Sequence, residues 1–438
     1  MKYLLVEPNF PIPIKSKNHK DFLPIGLLKI AALKKQEKHQ VILARGNLEK
    51  NEIFDLAIKQ INYKKSFLPN EIWITSLFTY WINDVTESVL HYRSLFKKSK
   101  IIVGGIAASL FGEEKTKKIT GCDDVKIGVI PEAENLPISQ LKDAYDRFLN
   151  SVDFQILHGQ RGCFRRCSFC GTWIIEPEVK YEKSIKEKIF KRKIVFYDNN
   201  FLDNPNIHNI LDELIELKKS KKILWCESQS GFDGRLLTKD ITIAPKLKAA
   251  GFRNIRIAWD GKFDDYSKIK KQLDSLTKDR ELFRRNDIEI FMLYNWNIPF
   301  DEMEKKRVKC FEWGVQISDC RFRPLDQTFD NYNPRKLGQL NSDYYIHEKW
   351  NDLLVKQFRR NVRRHNICIR HGFHFYVKDF ESKKADKEII TRFVNTKIKE
   401  EQKQIIDEYG LSFSDLSNPK TVFEVQQANT ESKLRLLD

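Results

Sequence analysis

Short runs of consecutive apolar residues alternate, along the first 128 residues, with segments whose apolar positions recur at helical spacing. The runs are YLLV (3–6), QVILA (40–44), EIWITSL (71–77) and IIVGG (101–105). Bounded by polar turns, they predict strands buried on both faces, and the intervening segments predict covering helices. This alternation predicts a doubly wound, Rossmann-like α/β domain over 1–135. Residues 129–150 contain two prolines and little strand signal, and read as a connection.

The alternation restarts with DFQIL (153–157), KIVFYD (193–198), KILWCES (222–228), NIRIAW (254–259), IEIFMLY (288–294) and VQISDCRF (315–322). A helical stretch is expected before each of the last five. Six such units predict a partial (β/α)6 TIM-type barrel over 150–330, with its chemistry at the carboxyl ends of the strands. Beyond, a helix-like stretch from Asp343 to Asn366 and a charged tail predict a basic, mainly helical C-terminal extension, 331–438. No internal repeat or low-complexity segment is present.

Composition adds limits. At 438 residues, 41% hydrophobic and 12% aromatic, the chain has the makings of two or three folded domains. Eight cysteines without a secretory-type start argue against a disulfide scaffold, so a reducing, cytoplasmic setting is expected. The opening MKYLLVEPNF is too short in apolar residues for a signal peptide, and no run approaches membrane-spanning length, so no membrane partner is expected.

The net charge of +17 and pI of about 9.3 suit a polyanion such as nucleic acid. The same charge is explained by lysines on solvated helix faces, as in LKKQEK, IKEKIFKRK and LKKSKK, and this reading has the greater support. Only FRRNVRRHNICIR (358–370) concentrates arginine enough for a specific anionic contact.

Three cysteines fall within eight residues in GQRGCFRRCSFCGTW (159–173), directly after the first strand of the second domain. Cys163, Cys167 and Cys170, spaced C-x3-C-x2-C, can hold three irons of a cubane cluster and leave the fourth open. A closed zinc site would need a fourth ligand, from His158 or a distant cysteine.

The loop, its place after a strand, and Phe169 before the last cysteine resemble the radical S-adenosylmethionine (SAM) superfamily. That resemblance implies a [4Fe-4S] cluster whose open iron is chelated by SAM. Reduction would cleave SAM to methionine and a 5'-deoxyadenosyl radical, with a flavodoxin or ferredoxin as reductant. It also implies SAM contacts at strand ends: Asp198, Asn199 and Asn200 in YDNNF, Ser228, Gln229 and Arg235 in CESQSGFDGR, and Asp260 in IAWDG. YDNNF departs from the Gly-Gly-Glu common in the family. Asn199, Asn200 and Asp233 also suit turns and caps for backbone reasons alone. Arg161, Arg165 and Arg166 flank the thiols, where guanidinium groups favour a reduced, anionic cluster; solvated loop charges are the alternative.

LPIGLLKIAALKK (23–35) and KIIVGGIAASLFGEE (100–114) resemble the cobalamin-binding-type domain that precedes many radical SAM barrels. The resemblance implies Ser76, Gly104 and Gly105 as cobalamin contacts. It departs at DFLPIG, where Leu23 stands in place of the histidine of D-x-H-x-x-G; His19 is nearby. A scaffold without cofactor is the alternative.

The leading expectation is a cobalamin-dependent radical SAM enzyme transferring a methyl group. One alternative is a cobalamin-independent radical SAM enzyme modifying RNA. Its methylthio-transferring type needs three further N-terminal cysteines, whereas only Cys122 is present. The other is a zinc-stabilised nucleic-acid-binding protein without catalysis. Cys226, Cys310, Cys320 and Cys368 read as buried small hydrophobes, and Arg323 and Asp326 as residues at the active-site mouth.

Overall fold

The computed structural model describes residues 1–12, 23–149, 152–277, 282–381 and 386–418. The chain forms two compact units. The first comprises Met1–Gln229, Arg323–Tyr332 and Ser342–Tyr345; the second comprises Ser230–Phe322, Asn333–Asn341 and Ile346–Asp438. The division falls inside the 150–330 segment.

In the first unit, β1 (Lys2–Glu7), α1 (Ile25–Gln36), β2 (Gln40–Arg45), α2 (Lys50–Ile61), β3 (Glu71–Ser76), α3 (Ile82–Leu95), β4 (Lys100–Gly105), α4 (Ile106–Phe111), α5 (Glu113–Thr120) and β5 (Asp124–Lys126) follow in order. The strands form a parallel sheet of order β2-β1-β3-β4-β5. Alternate side chains of each strand enter opposite cores. Leu4, Val6, Ile42, Ile72 and Ile74 pack with Ala57, Val85, Val89 and Tyr92 of α2 and α3. Tyr3, Leu5, Val41 and Leu43 pack with Leu27, Leu28 and Ala31 of α1. Both faces of the sheet are therefore covered, as continuous apolar runs require.

The segment 129–150 is more than a connection. It contains α6 (Pro131–Glu134) and α7 (Ile138–Phe148). Tyr145 and Leu149 enter the α1 core, and the Ile156 N–H donates to the Tyr145 hydroxyl at 3.1 Å. Its prolines stand at the start of the helices, where a missing N–H costs nothing.

Next come β6 (Phe154–Leu157), the short antiparallel pair β7 (Gln160–Arg161) and β8 (Lys180–Tyr181), the single turn α8 (Thr172–Ile175), β9 (Lys193–Phe196), α9 (Ile207–Lys219) and β10 (Trp225–Ser228). β6, β9 and β10 form a parallel sheet of order β10-β9-β6. The full helix expected before β9 is absent, and IKEKIFKRK is not a solvated helix face. Ile185 is wholly buried, Lys186–Lys188 form a single 3-10 turn, and the Phe190 and Lys191 N–H groups donate to Gln155 Oε1.

The second unit contains α10 (Gly234–Lys239), α11 (Ile243–Ala249), β11 (Arg256–Ala258), α12 (Tyr266–Thr277), β12 (Glu289–Tyr294), α13 (Phe300–Trp313) and β13 (Gln316–Arg321). Its strands form a parallel sheet of order β11-β12-β13. The six strands expected in one barrel are thus hydrogen-bonded as two three-stranded sheets.

The expected helix 343–366 is α14 (Asp352–His371), begun by Asn351, whose side chain accepts the Leu354 N–H at 2.9 Å. α14 covers the free edge of β13: Asn366 Nδ2 donates to Ile317 O, and the Ile317 N–H donates to Asn366 Oδ1. Then come β14 (Tyr376–Val377), α15 (Lys387–Asn395), α16 (Lys399–Glu408) and β15 (Phe413–Ser414), with β14 and β15 antiparallel. This region is built into the unit: fully buried Arg307 donates to Glu304 Oε2 and, through both terminal nitrogens, to Leu416 O. Among the described residues no helix is long and apolar enough to cross a membrane.

Candidate functional site

The cysteine loop begins where β6 ends, and its start is fastened through the backbone of Gly159. Gly159 N–H donates to Asp198 Oδ2 at 3.1 Å, and Asn204 Nδ2 donates to Gly159 O at 2.8 Å. Gly162 has φ +78°, and a Cβ there would collide with Glu178 O, so only glycine fits. The Gly162 N–H donates to Glu176 Oε2 at 2.9 Å, and Arg161 donates to both oxygens of the same carboxylate. Glu176 therefore joins the two ends of the loop.

Between them, Cys163, Cys167 and Cys170 are half-buried and unoxidised. The Cys170 N–H donates to Cys167 O at 3.0 Å, closing a turn, and Trp173 Nε1 donates to the same carbonyl at 3.1 Å. Burial pushes the Cys163 thiol up, and the nearby Cys170 adds to the effect. Among the described residues no three His, Cys, Asp or Glu side chains are gathered closely enough to hold a metal ion. The donor set itself, three accessible thiols on one short loop, suits iron. Phe169 is half-buried beside them. Arg165 lies 4.8 Å from the ring centre of exposed Phe164, and Arg166 has φ +45°.

The expected fourth zinc ligand, His158, is otherwise engaged: Arg161 donates to its Nε2 at 3.0 Å. Burial, reinforced by Arg161, holds this imidazole well below its ordinary pKa, so it is neutral.

The strand-end residues have divergent surroundings. Asn199 meets the loop, since Cys170 Sγ donates to Thr172 Oγ1 and Thr172 Oγ1 donates to Asn199 Oδ1, each at 3.3 Å. Asp198 is completely buried; its Oδ1 has no hydrogen-bond partner and lies beside Gly159, with Phe201 and Ile210 close by. Burial pushes its carboxyl up to about 8. Asn200 is buried, with its carbonyl accepting the Asp203 N–H. Ser228 is buried in β10, and the Gln229 N–H donates to Phe196 O.

Arg235 and Asp260 belong to the second unit. Arg235 is exposed and donates to Asp233, the N-cap of α10. Asp260 sits on an exposed turn after β11, bracketed by an unforeseen residue. Lys306, fully buried, donates to Trp259 O at 2.7 Å and Gly261 O at 3.0 Å. Burial lowers its pKa to about 8. Its signal was the spacing Met303, Lys306, Cys310, which puts it on the buried stripe of α13.

In the first domain, Ser76 Oγ donates to Gly104 O at 2.7 Å and accepts the Ala108 N–H at 2.9 Å. Gly105 has φ +100°, and a Cβ there would strike Ser76 O. All three expected cobalamin contacts meet in the β4–α4 turn, with Ser76 buried, Gly104 half-buried and Gly105 exposed. Leu23 is a core residue packed with Leu27, and His19 lies outside the described residues.

Phe10, Phe78, Tyr80 and Trp81 cluster past the ends of β1 and β3, with Phe10 stacked on Trp81 and Phe78 on Tyr80. Arg323 lies 4.5 Å from the Tyr80 ring centre and pairs with Asp330; Asp326 is exposed. Cys122, Cys226, Cys310 and Cys368 are buried, but Cys320, expected to be, is exposed. The arginine-rich segment is tied into its own unit: Arg363 pairs with Glu381, Arg364 lies over Tyr376, and Arg360 donates to Gln357.

No protein-family model matches the chain, and no curated protein matches it. Among solved structures, a novel cobalamin-binding protein from Desulfitobacterium hafniense DCB-2 is similar at 19% identity and a TM-score of 0.20, over 32% of this chain. The match spans 57% of that protein's length.

Proposed function

We propose that the chain is a radical SAM enzyme, with Cys163, Cys167 and Cys170 as the ligands of a [4Fe-4S] cluster. The observation that carries this reading is the placement of three accessible thiols on one loop leaving the carboxyl end of β6, hydrogen-bonded through Thr172 to Asn199 at the same end of β9. A cluster there would supply the electron that cleaves SAM, delivered by a flavodoxin or ferredoxin. The chain's own residues prepare the loop: Asp198 holds Gly159, Glu176 ties its two ends, and Arg165 and Arg166 bring positive charge. Asn199, Gln229 and Phe169 are the proposed SAM contacts of the first unit. Ser76, Gly104 and Gly105, gathered at the β4–α4 turn, are the proposed corrin contacts.

Anaerobic reconstitution tests the reading. Brown protein with about four irons per chain, forming 5'-deoxyadenosine from SAM and a reductant, is expected. Colourless protein that retains zinc would establish the structural-zinc alternative instead. Co-elution of hydroxocobalamin with a shifted visible spectrum decides corrin binding separately.

A further inference from the structure

Within the first unit a cleft of about 580 Å³ lies behind the start of the cysteine loop, among α1, α6, α7, β6, β7 and the segment 175–188. That volume is in the few-hundred to ~1,000 Å³ range of small-molecule sites. In a chain of net charge +17 its lining is nearly balanced, with four Lys or Arg and five Glu residues. The deeper charges neutralise one another, Lys29 pairing with Glu134 and Arg161 with Glu176, and nearer solvent Lys188 pairs with Glu182. His158, in the same wall, is neutral and accepts from Arg161. Among the described lining residues the one cation outside these pairs, Lys180, is exposed, so no buried cation is left to compensate the desolvation of a phosphate or carboxylate. Leu136, Ile138, Leu141 and Ile156 supply an apolar surface.

One polar atom is left over. Gln160 lines the cleft at 1% exposure; its Nε2 donates to Gly162 O, but its Oε1 is buried without a hydrogen-bond partner. That oxygen is closed to solvent, so a ligand donor reaches it once the Gln160 side chain turns towards the cleft, which would recover the free energy of the unmet hydrogen bond. We propose that this cleft binds an uncharged, mainly apolar small molecule that donates a hydrogen bond to Gln160. The site is separate from the three thiols and needs no metal.

The test uses the full-length chain without iron. It is titrated with N-phenyl-1-naphthylamine, an uncharged fluorophore with an amine donor, and with 8-anilinonaphthalene-1-sulfonate, which adds a negative charge to the same skeleton. Saturable binding of the neutral probe is expected, weakened roughly tenfold by Leu136→Trp, which fills the cleft from a half-buried loop position, and by Gln160→Leu. The melting temperature should hold in the first variant and hold or rise in the second, because an unpaired acceptor is removed. Absence of saturable neutral-probe binding, or equal affinity in Leu136→Trp, overturns the site. Tighter binding of the sulfonate that Leu136→Trp abolishes overturns the uncharged class.

Discussion

Leu110 of α4 packs where a side chain on Gly171, the residue after the last loop cysteine, would begin: a Cβ there would stand 2.9 Å from the Leu110 Cδ2, the movable end of that side chain. The turn that Ser76 and Gly105 build at the end of β4 thus sets the position against which the cysteine loop ends. Gly171 has φ −81°, so the constraint is one of space and not of backbone conformation. Gly171→Ala is expected to cost no more than about 1 kcal/mol, because the end of the Leu110 side chain can turn aside. Adding Leu110→Ala should return part of that loss, which a double-mutant cycle of thermal unfolding would measure; additive effects would refute the contact.

Gly162→Ala should be costlier, since it combines a left-handed φ with a clash against backbone that cannot yield. A loss of about 2–3 kcal/mol is expected. Because Gly162 immediately precedes Cys163, iron retention after reconstitution should fall with it.

Asp198 gives the first unit a pH dependence. Its carboxyl is raised from 3.8 to about 8, mainly by burial, so between these values the folded chain holds the proton and the unfolded chain does not. Stability is then greatest at the acid end of the window and falls as pH rises towards 8. Asp198→Asn should flatten that slope in urea midpoints measured from pH 5 to 8. Asp198→Ala, which leaves the Gly159 N–H buried and unpaired, should cost about 1–3 kcal/mol at pH 5 and progressively less towards pH 8, where the parent itself loses stability.

Lys306 acts in the opposite sense in the second unit. Burial lowers its pKa from 10.5 to about 8, so the unfolded chain holds more protons between these values and stability rises with pH across them. Lys306→Met would remove that rise and free the Trp259 and Gly261 carbonyls, loosening the Asp260 turn. Urea midpoints between pH 8 and 10 check it, and an unchanged slope would remove Lys306 from this role.

Cys167→Ala should lose most of its iron after anaerobic reconstitution and form no 5'-deoxyadenosine, while its melting temperature without metal stays close to that of the parent. Full iron content in this variant would end the cluster assignment.

What the sequence revealed, and what it hid, follows from the range of the interactions. β1 to β4 were legible because both faces of each strand are buried, which writes a local apolar run. β5 is three residues of mixed character and left no such trace. α7 carries its core residues at helical spacing, but Pro131 and Pro137 disguised the segment as a linker. Cys320 broke the expectation of burial because the alternation along β13 ends before it. The spacing of the three thiols was plain, whereas the tie between Gly162 and Glu176 spans fourteen residues and leaves no periodicity. Lys306 was hidden by its chemistry: a lysine within DEMEKKRVK reads as solvent-facing until its carbonyl partners are seen.

The bond from Arg307 to the Leu416 carbonyl also bears on how the chain is made. A guanidinium at full burial needs its acceptors in place, and one of them is translated 109 residues later. On the ribosome, the unit that begins at Ser230 must keep α13 open to water until Leu416 has emerged. Nascent chains halted short of that residue should stay sensitive to protease across α13, and gain resistance in one step once it is released.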